Sequence, residues 1–150
     1  MSQSLVKISV HLVFSTKGRA PMIHKRIRPR LHAYIGSVLL ANRARLFKAG
    51  GTNDHIHLLV SLGKELSVSG AVREIKSKSS GWIHREFPRL NRFAWQGGYG
   101  GFSVSESDLQ SVKQYIEKQE EHHRRITFKD ELRSLLRKHQ IDFDETFLWD

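Results

Sequence analysis

Two histidines one residue apart, His55 and His57, lie in the run GGTNDHIHLLVSL at residues 50–62. A tyrosine and a glutamine four residues apart, Tyr115 and Gln119, lie in QYIEKQEEHH at residues 114–123. Neutral imidazoles bind Zn, Mn, Fe, Ni or Cu, and they take part in mixed nitrogen–oxygen Mg sites. Two imidazoles are too few to hold an ion, so the pair needs further ligands from elsewhere in the chain. Gln119 offers a hard carbonyl oxygen suited to Mg or Mn. His122 and His123 compete with it for the third position, and Glu120 and Glu121 are also within reach. A phenol such as Tyr115 becomes a nucleophile when a metal or a cationic neighbour lowers its pKa from about 10.

These residues need rigid elements to aim them. Residues 55–62 read as a strand, in which alternate side chains share a face. Ile56, Leu58, Val60 and Leu62 then form an apolar core face, while His55 and His57 point the other way, roughly 7 Å apart along the strand. Arg45–Ala49 reads as a partner strand, joined to it through the turn GGTND. Val6–Phe14 is rich in β-branched and aromatic residues and reads as the first strand. A helix follows from about Pro29, with Leu31, Tyr34, Ile35, Val38 and Leu39 at helical spacing.

Ser67 caps a second long helix to about Phe87, and FAWQGGYGGFSVS supplies a short strand broken by glycines. SESDLQSVKQYIEKQEEHH reads as one strong helix, opened by a Ser107–Gln110 capping box, with Leu109, Val112 and Ile116 as its buried stripe. Tyr115 and Gln119 share one face of that helix. Thr127–His139 predicts a last helix. The order β-α-β-β-α-β-α-α predicts an α+β fold of ferredoxin-like layout, an antiparallel-containing sheet with helices packed on it.

The 150 residues suit a single domain over 1–150, with about 124–150 as a C-terminal helical extension. There is no cysteine, which excludes disulfides, thiolate metal sites and cysteine nucleophiles together. Apolar runs are too short to span a bilayer and Met1–Gln3 does not open a signal peptide, so a cytoplasmic protein with no membrane partner is expected. The formal charge is +10. Residues 1–101 carry 17 Lys+Arg against 4 Asp+Glu (+13), and residues 102–150 carry 8 against 11 (−3). The basic excess thus belongs to the body of the fold and attracts a polyanion, with nucleic acid first.

NDHIHLLVSL, WQGGYGGFSVS and VKQYIEKQEEHH, in that order, resemble the small single-tyrosine transposases of the IS-two-hundred type. These belong to the HUH (His-hydrophobic-His) nuclease superfamily and include the REP-associated tyrosine transposases. The resemblance spans Val6 to His123. It implies a ferredoxin-like fold with the histidines on a central strand. It also implies that Tyr115 attacks a DNA phosphate, that His55 and His57 bind a divalent metal (Mg or Mn), and that Gln119 is the third protein ligand. Single-stranded DNA bearing hairpins would be the substrate, cut and rejoined through a 5′-phosphotyrosine, and the protein would act as a homodimer.

Holding DNA calls for cations and hydroxyls. Lys17 and Arg19, after the first strand, and Lys76, Lys78, Ser79 and Ser80, in IKSKSSGW, are the candidate phosphate contacts. Trp82, Trp95 and Tyr99 are candidates for stacking on bases. A histidine-triad nucleotide hydrolase would need another histidine at position 59, which is Leu. A simple nucleic-acid-binding module would leave the histidine pair and the YIEKQ helix without a purpose. A domesticated relative that binds DNA without cutting it is the alternative.

Overall fold

Side-chain alternation along four strands gives the central sheet two different faces. The computed structural model describes residues 2–146 and 148–150. Its elements are β1 (Ser9–Ser15), α1 (Arg28–Ala41), β2 (Arg45–Gly51), β3 (His55–Ser61), α2 (Val68–Glu86), β4 (Gly100–Val104), α3 (Leu109–Glu117), α4 (Gln119–His122) and α5 (Phe128–Lys138). The strand order is β2-β3-β1-β4, and every neighbouring pair is antiparallel. This is the expected ferredoxin-like α+β architecture, with the histidine strand β3 in the middle of the sheet.

On one face, Val10, Leu12 and Phe14 of β1 join Ile56, Leu58 and Val60 of β3. They pack against Leu31, Ile35 and Leu39 of α1 and Val72, Ile75 and Ile83 of α2. Each such side chain contributes on the order of 1.5–3 kcal/mol when fully buried, as an upper estimate. That face holds the main core, which leaves the opposite face free to carry polar chemistry. There a smaller cluster unites Val13 and Phe102 of the sheet with Phe128, Leu132 and Leu136 of α5. His11, His55 and His57 alternate onto this second face.

Local signals explain most of the element boundaries. Ser67 caps α2, its hydroxyl accepting the Gly70 N–H at 2.9 Å. Thr127 caps α5 in the same way, accepting from Asp130 N–H at 3.2 Å. Pro29 sits in the first turn of α1, where its missing N–H costs no hydrogen bond.

Three boundaries differ from the sequence expectation. β1 begins at Ser9 rather than Val6, because its partner β3 ends at Ser61, directly opposite Ser9. β2 runs on to Gly51, which pairs with Ile56. The single helix expected over residues 105–123 is broken at Lys118, whose φ of −97° and ψ of 24° end α3 and reset the chain into α4. The expected capping box does not form either. Ser107 lies in a 3-10 turn over Glu106–Asp108, and its hydroxyl pairs with that of Ser105 at 3.1 Å.

α3 docks across β2 at Gly50, where a Cβ would come within 2.1 Å of the Ile116 carbonyl oxygen. This close seat places Tyr115, the residue before Ile116, at the edge of the histidine face.

Candidate metal centre and nucleophile

β3 presents His55 and His57 on the second sheet face with ring centroids 5.3 Å apart. Both are buried, at 1% and 0% exposure. His55 Nδ1 faces the Asp54 carboxylate at 2.9 Å and Thr52 Oγ1 at 3.0 Å, while its Nε2 faces Gln119 Oε1 at 3.1 Å. A carboxylate on the remote nitrogen orients the imidazole and raises its basicity as a ligand. Burial would raise the Asp54 pKa, yet the hydrogen bond and charge of His55, with Thr52 and Arg19, hold it below the usual value.

His57 is gripped from the neighbouring strand: its Nδ1 lies 2.8 Å from His11 Nε2. Burial lowers the His57 pKa to about 4, against the opposing pull of Glu131, and lowers that of His11 to about 3. Both imidazoles are therefore neutral near pH 7, the state a metal ligand requires.

The fourth side of the site comes from α5. Glu131 is 2% exposed, and its two oxygens divide their partners. Oε1 lies 2.9 Å from His57 Nε2, 3.0 Å from His123 Nε2 and 3.8 Å from His55 Nε2. Oε2 accepts the Tyr115 hydroxyl, and it accepts from Gln119 Nε2 at 3.1 Å. Burial alone would raise the Glu131 pKa. Hydrogen bonds from His123, His57 and Tyr115 outweigh it and hold the carboxyl well below its ordinary range.

His123 answers that charge. Its Nδ1 donates to the Ile126 carbonyl at 2.8 Å, and its Nε2 faces two acceptors, Glu131 Oε1 and Gln119 Oε1, each at 3.0 Å. Burial opposes protonation, but the hydrogen bond and charge of Glu131 prevail and raise its pKa. The Tyr115 phenol is pushed up by burial, then by the charge and hydrogen bond of Glu131. The proton is thus held on the phenol in this arrangement.

One ligand atom from each of His55, His57, His123 and Glu131 lies within 4.8 Å of all the others. Ligand bonds of about 2 Å around a single ion set donors about 3–4 Å apart, so this set fits a divalent cation after a small contraction. Gln119, 1% exposed, adds its carbonyl oxygen beside His55 and His123. Among the described residues no buried side-chain nitrogen or oxygen lacks a hydrogen-bond partner. A groove of about 500 Å³, lined by His11, Tyr115, His122, Glu131, Lys138 and His139 among others, opens onto the phenol side of the site.

The structure unites six of the residues singled out in the sequence: His55, His57, Tyr115, Gln119, His123 and, with its Nε2 3.4 Å from Glu131 Oε2, His122. Glu120 instead pairs with Arg28 on the surface, and Glu121 is exposed. Lys17 and Arg19 form a 3-10 turn just past the end of β1, next to Asp54 and hence at the His55 end of the site.

Lys76, Lys78, Ser79 and Ser80 ride on α2, across the sheet from the histidines. Lys76 donates to the carbonyls of Gln96 (2.8 Å) and Gly98 (2.7 Å) and stands over the Phe14 ring. Ser79 is fully buried and accepts the Trp95 indole N–H at 2.9 Å. Lys78 is exposed and Ser80 half-buried. Trp82 stacks on Tyr34 with centroids 5.0 Å apart, Trp95 is buried against Phe14 and Phe93, and Tyr99 is exposed. Glu131, His11 and Asp54 were not singled out in the sequence. Glu131 left one trace there: a carboxylate set in the apolar stripe of Phe128, Leu132 and Leu136.

The sequence model of the family described as "Transposase IS200 like" matches residues 4–119, more than half of the chain. The chain belongs to the IS200-like transposase family. The IS200 transposase of Salmonella typhimurium is 27% identical over 114 residues, which cover 73% of this chain and 74% of that one. The ISDra2 transposase TnpA of Deinococcus radiodurans is 23% identical over 118 residues, covering 75% and 84%.

Two solved structures share the fold. A candidate transposase from Deinococcus radiodurans aligns with a TM-score of 0.65 at 24% identity, covering 79% of this chain and 98% of that one. A REP-associated tyrosine transposase bound to a REP hairpin aligns with a TM-score of 0.56 at 18% identity, covering 77% and 70%. The matched family segment contains both strand histidines, Tyr115 and Gln119, and ends before His123 and Glu131. No helix among the described residues is long and apolar enough to cross a membrane.

Proposed function

We propose that this IS200-like transposase cuts and rejoins single-stranded DNA at hairpin-bearing ends, with Tyr115 as nucleophile and His55, His57 and Gln119 as ligands of a divalent metal. The observation that carries this reading is the shared carboxylate: Glu131 accepts the Tyr115 hydroxyl while its other oxygen faces His57. The phenol therefore stands beside the histidine pair. In the reaction the phenolic oxygen forms a bond to phosphorus, the P–O3′ bond breaks, and the 3′ oxygen leaves as a hydroxyl, so the proton lost by Tyr115 is balanced in the products. The bond retained in the 5′-phosphotyrosine lets a 3′-OH reseal the strand without a nucleotide cofactor. A bound divalent ion would polarise a nonbridging phosphate oxygen. Imidazole-rich donors favour Mn over Mg at such a centre.

Lys17 and Arg19 flank the His55 end of the site and are the best placed of the proposed phosphate contacts. Lys78 and Ser80 would serve only DNA that wraps around to α2. The nucleophile and the proposed ligands sit together within one chain, which supports cleavage in cis. The homodimer implied by the resemblance would then serve to pair two ends.

The test incubates the protein with single-stranded hairpin oligonucleotides, with and without Mn²⁺ or Mg²⁺, and resolves covalent adducts on denaturing gels. A metal-dependent adduct is expected, abolished by Tyr115→Phe and by His55→Ala with His57→Ala. An adduct that persists in Tyr115→Phe removes that residue as nucleophile. The near-complete burial of the histidines under α5 favours a second reading, hairpin binding without cleavage. Tight hairpin binding with no adduct in any metal would establish it.

A further inference from the structure

We infer that Glu131, on the C-terminal helix α5 and beyond the matched family segment, is itself a ligand of the metal centre, so that metal binding and α5 docking form one equilibrium. The inference rests on the reading that His55 and His57 hold a metal. Burying a carboxylate on an apolar helix face is costly unless cations or several hydrogen-bond donors meet it. Phe128, stacked on the His55 ring at 4.4 Å, and Leu132 form that apolar face around Glu131. Both of its oxygens nevertheless point into the site rather than to solvent.

The division of partners is what assigns the role. Oε1 stands among the Nε2 atoms of His55, His57 and His123, where an ion held by the strand pair would lie. Oε2 is left to hold the Tyr115 hydroxyl and the Gln119 amide, with His122 Nε2 3.4 Å away. Ligation through one oxygen would thus keep the nucleophile fixed beside the ion through the other. Charge supports the same assignment, since a dication among these buried imidazoles would have the Glu131 carboxylate as its nearest anion, with Asp54 behind His55. Hard divalent ions also favour carboxylate oxygen.

The rival role for the same carboxylate is a plug that occupies the empty site and must leave before metal enters. The two roles make opposite predictions for metal affinity in the absence of DNA. The full chain is titrated with Mn²⁺ and free ion is followed by electron paramagnetic resonance, with hydrogen exchange of the α5 amides recorded alongside. If Glu131 is a ligand, Glu131→Gln weakens Mn²⁺ binding about 10-fold or more, and Glu131→Asp recovers part of the loss. Mn²⁺ then slows α5 exchange in the native protein and not in Glu131→Gln.

Equal or tighter Mn²⁺ binding in Glu131→Gln would overturn the proposal and make Glu131 a plug. Circular dichroism confirms that each variant is folded. If Glu131→Gln does not fold, the native exchange result decides: Mn²⁺ that leaves α5 exchange unchanged or faster overturns the ligand role. His55→Ala with His57→Ala should abolish binding in every case. If it does not, the histidine-pair reading itself fails, an outcome distinct from failure of the Glu131 assignment.

Discussion

His57 is held from both sides, by His11 through Nδ1 and by Glu131 through Nε2. With Glu131 ionised, Nε2 carries the proton and Nδ1 accepts from His11. To ligate through Nε2, His57 must move its proton to Nδ1, and His11 Nε2 then becomes the acceptor. Two neutral imidazoles permit that exchange because each is both donor and acceptor. His11→Leu removes the partner and leaves the buried Nδ1–H unsatisfied. Mn²⁺ affinity in the same titration should fall about 10–100-fold, with the circular dichroism spectrum unchanged. Unaltered affinity would mean that another group sets the His57 tautomer. The histidine pair, Tyr115 and Gln119 were legible in the sequence because strand alternation and helical spacing are local rules. His11 was not, since which residue of β1 lies beside His57 is fixed by strand register, a long-range property.

At the scale of elements, three helices (α3, α4 and α5) position the chemistry, while α1 and α2 stabilise the scaffold away from it. α2 lies on the core face, and its Ser67 cap has no contact with the site. Ser67→Ala should cost about 1 kcal/mol in urea unfolding and leave Mn²⁺ affinity untouched; a change in affinity would show that the two faces of the sheet are coupled. The existence and order of the strands and long helices followed from hydrophobic period and turn residues. The break at Lys118 did not, because no proline or glycine marks it. The break matters, since Gln119 turns into the site from the start of α4 rather than from a continuation of α3. Glu131 was missed for a different reason. It lies in the segment outside the family resemblance, so a carboxylate in an apolar stripe had no partner to be matched with until α5 was seen docked over the histidines.

For the whole molecule, acid sensitivity follows from histidines buried in neutral form. His11, His32 and His57 are lowered by burial to about 3, 4 and 4 from an ordinary value of 6.5. Between those values the unfolded chain binds more protons than the folded one, so their contribution is complete above pH 6.5 and is lost as pH falls towards 4 and 3. His123 is raised and works in the opposite direction, but it is one group against three. In chelator, thermal midpoints should be level above about pH 7 and fall steadily from pH 6.5 to pH 4. A midpoint that rises over that interval would contradict neutral burial of these imidazoles.

Gly50 shows how little room this arrangement leaves. The distance between the phenol and the histidine strand is set by an absent methyl group, since α3 rests its own backbone where a side chain of β2 would be. The site thus has a mechanical stop rather than an adjustable contact. Any larger residue at that position would act as a spacer, lifting Tyr115 away from the strand histidines and from Glu131 of α5, which would stay in place. Ion capture and strand cutting could then be separated by one carbon atom.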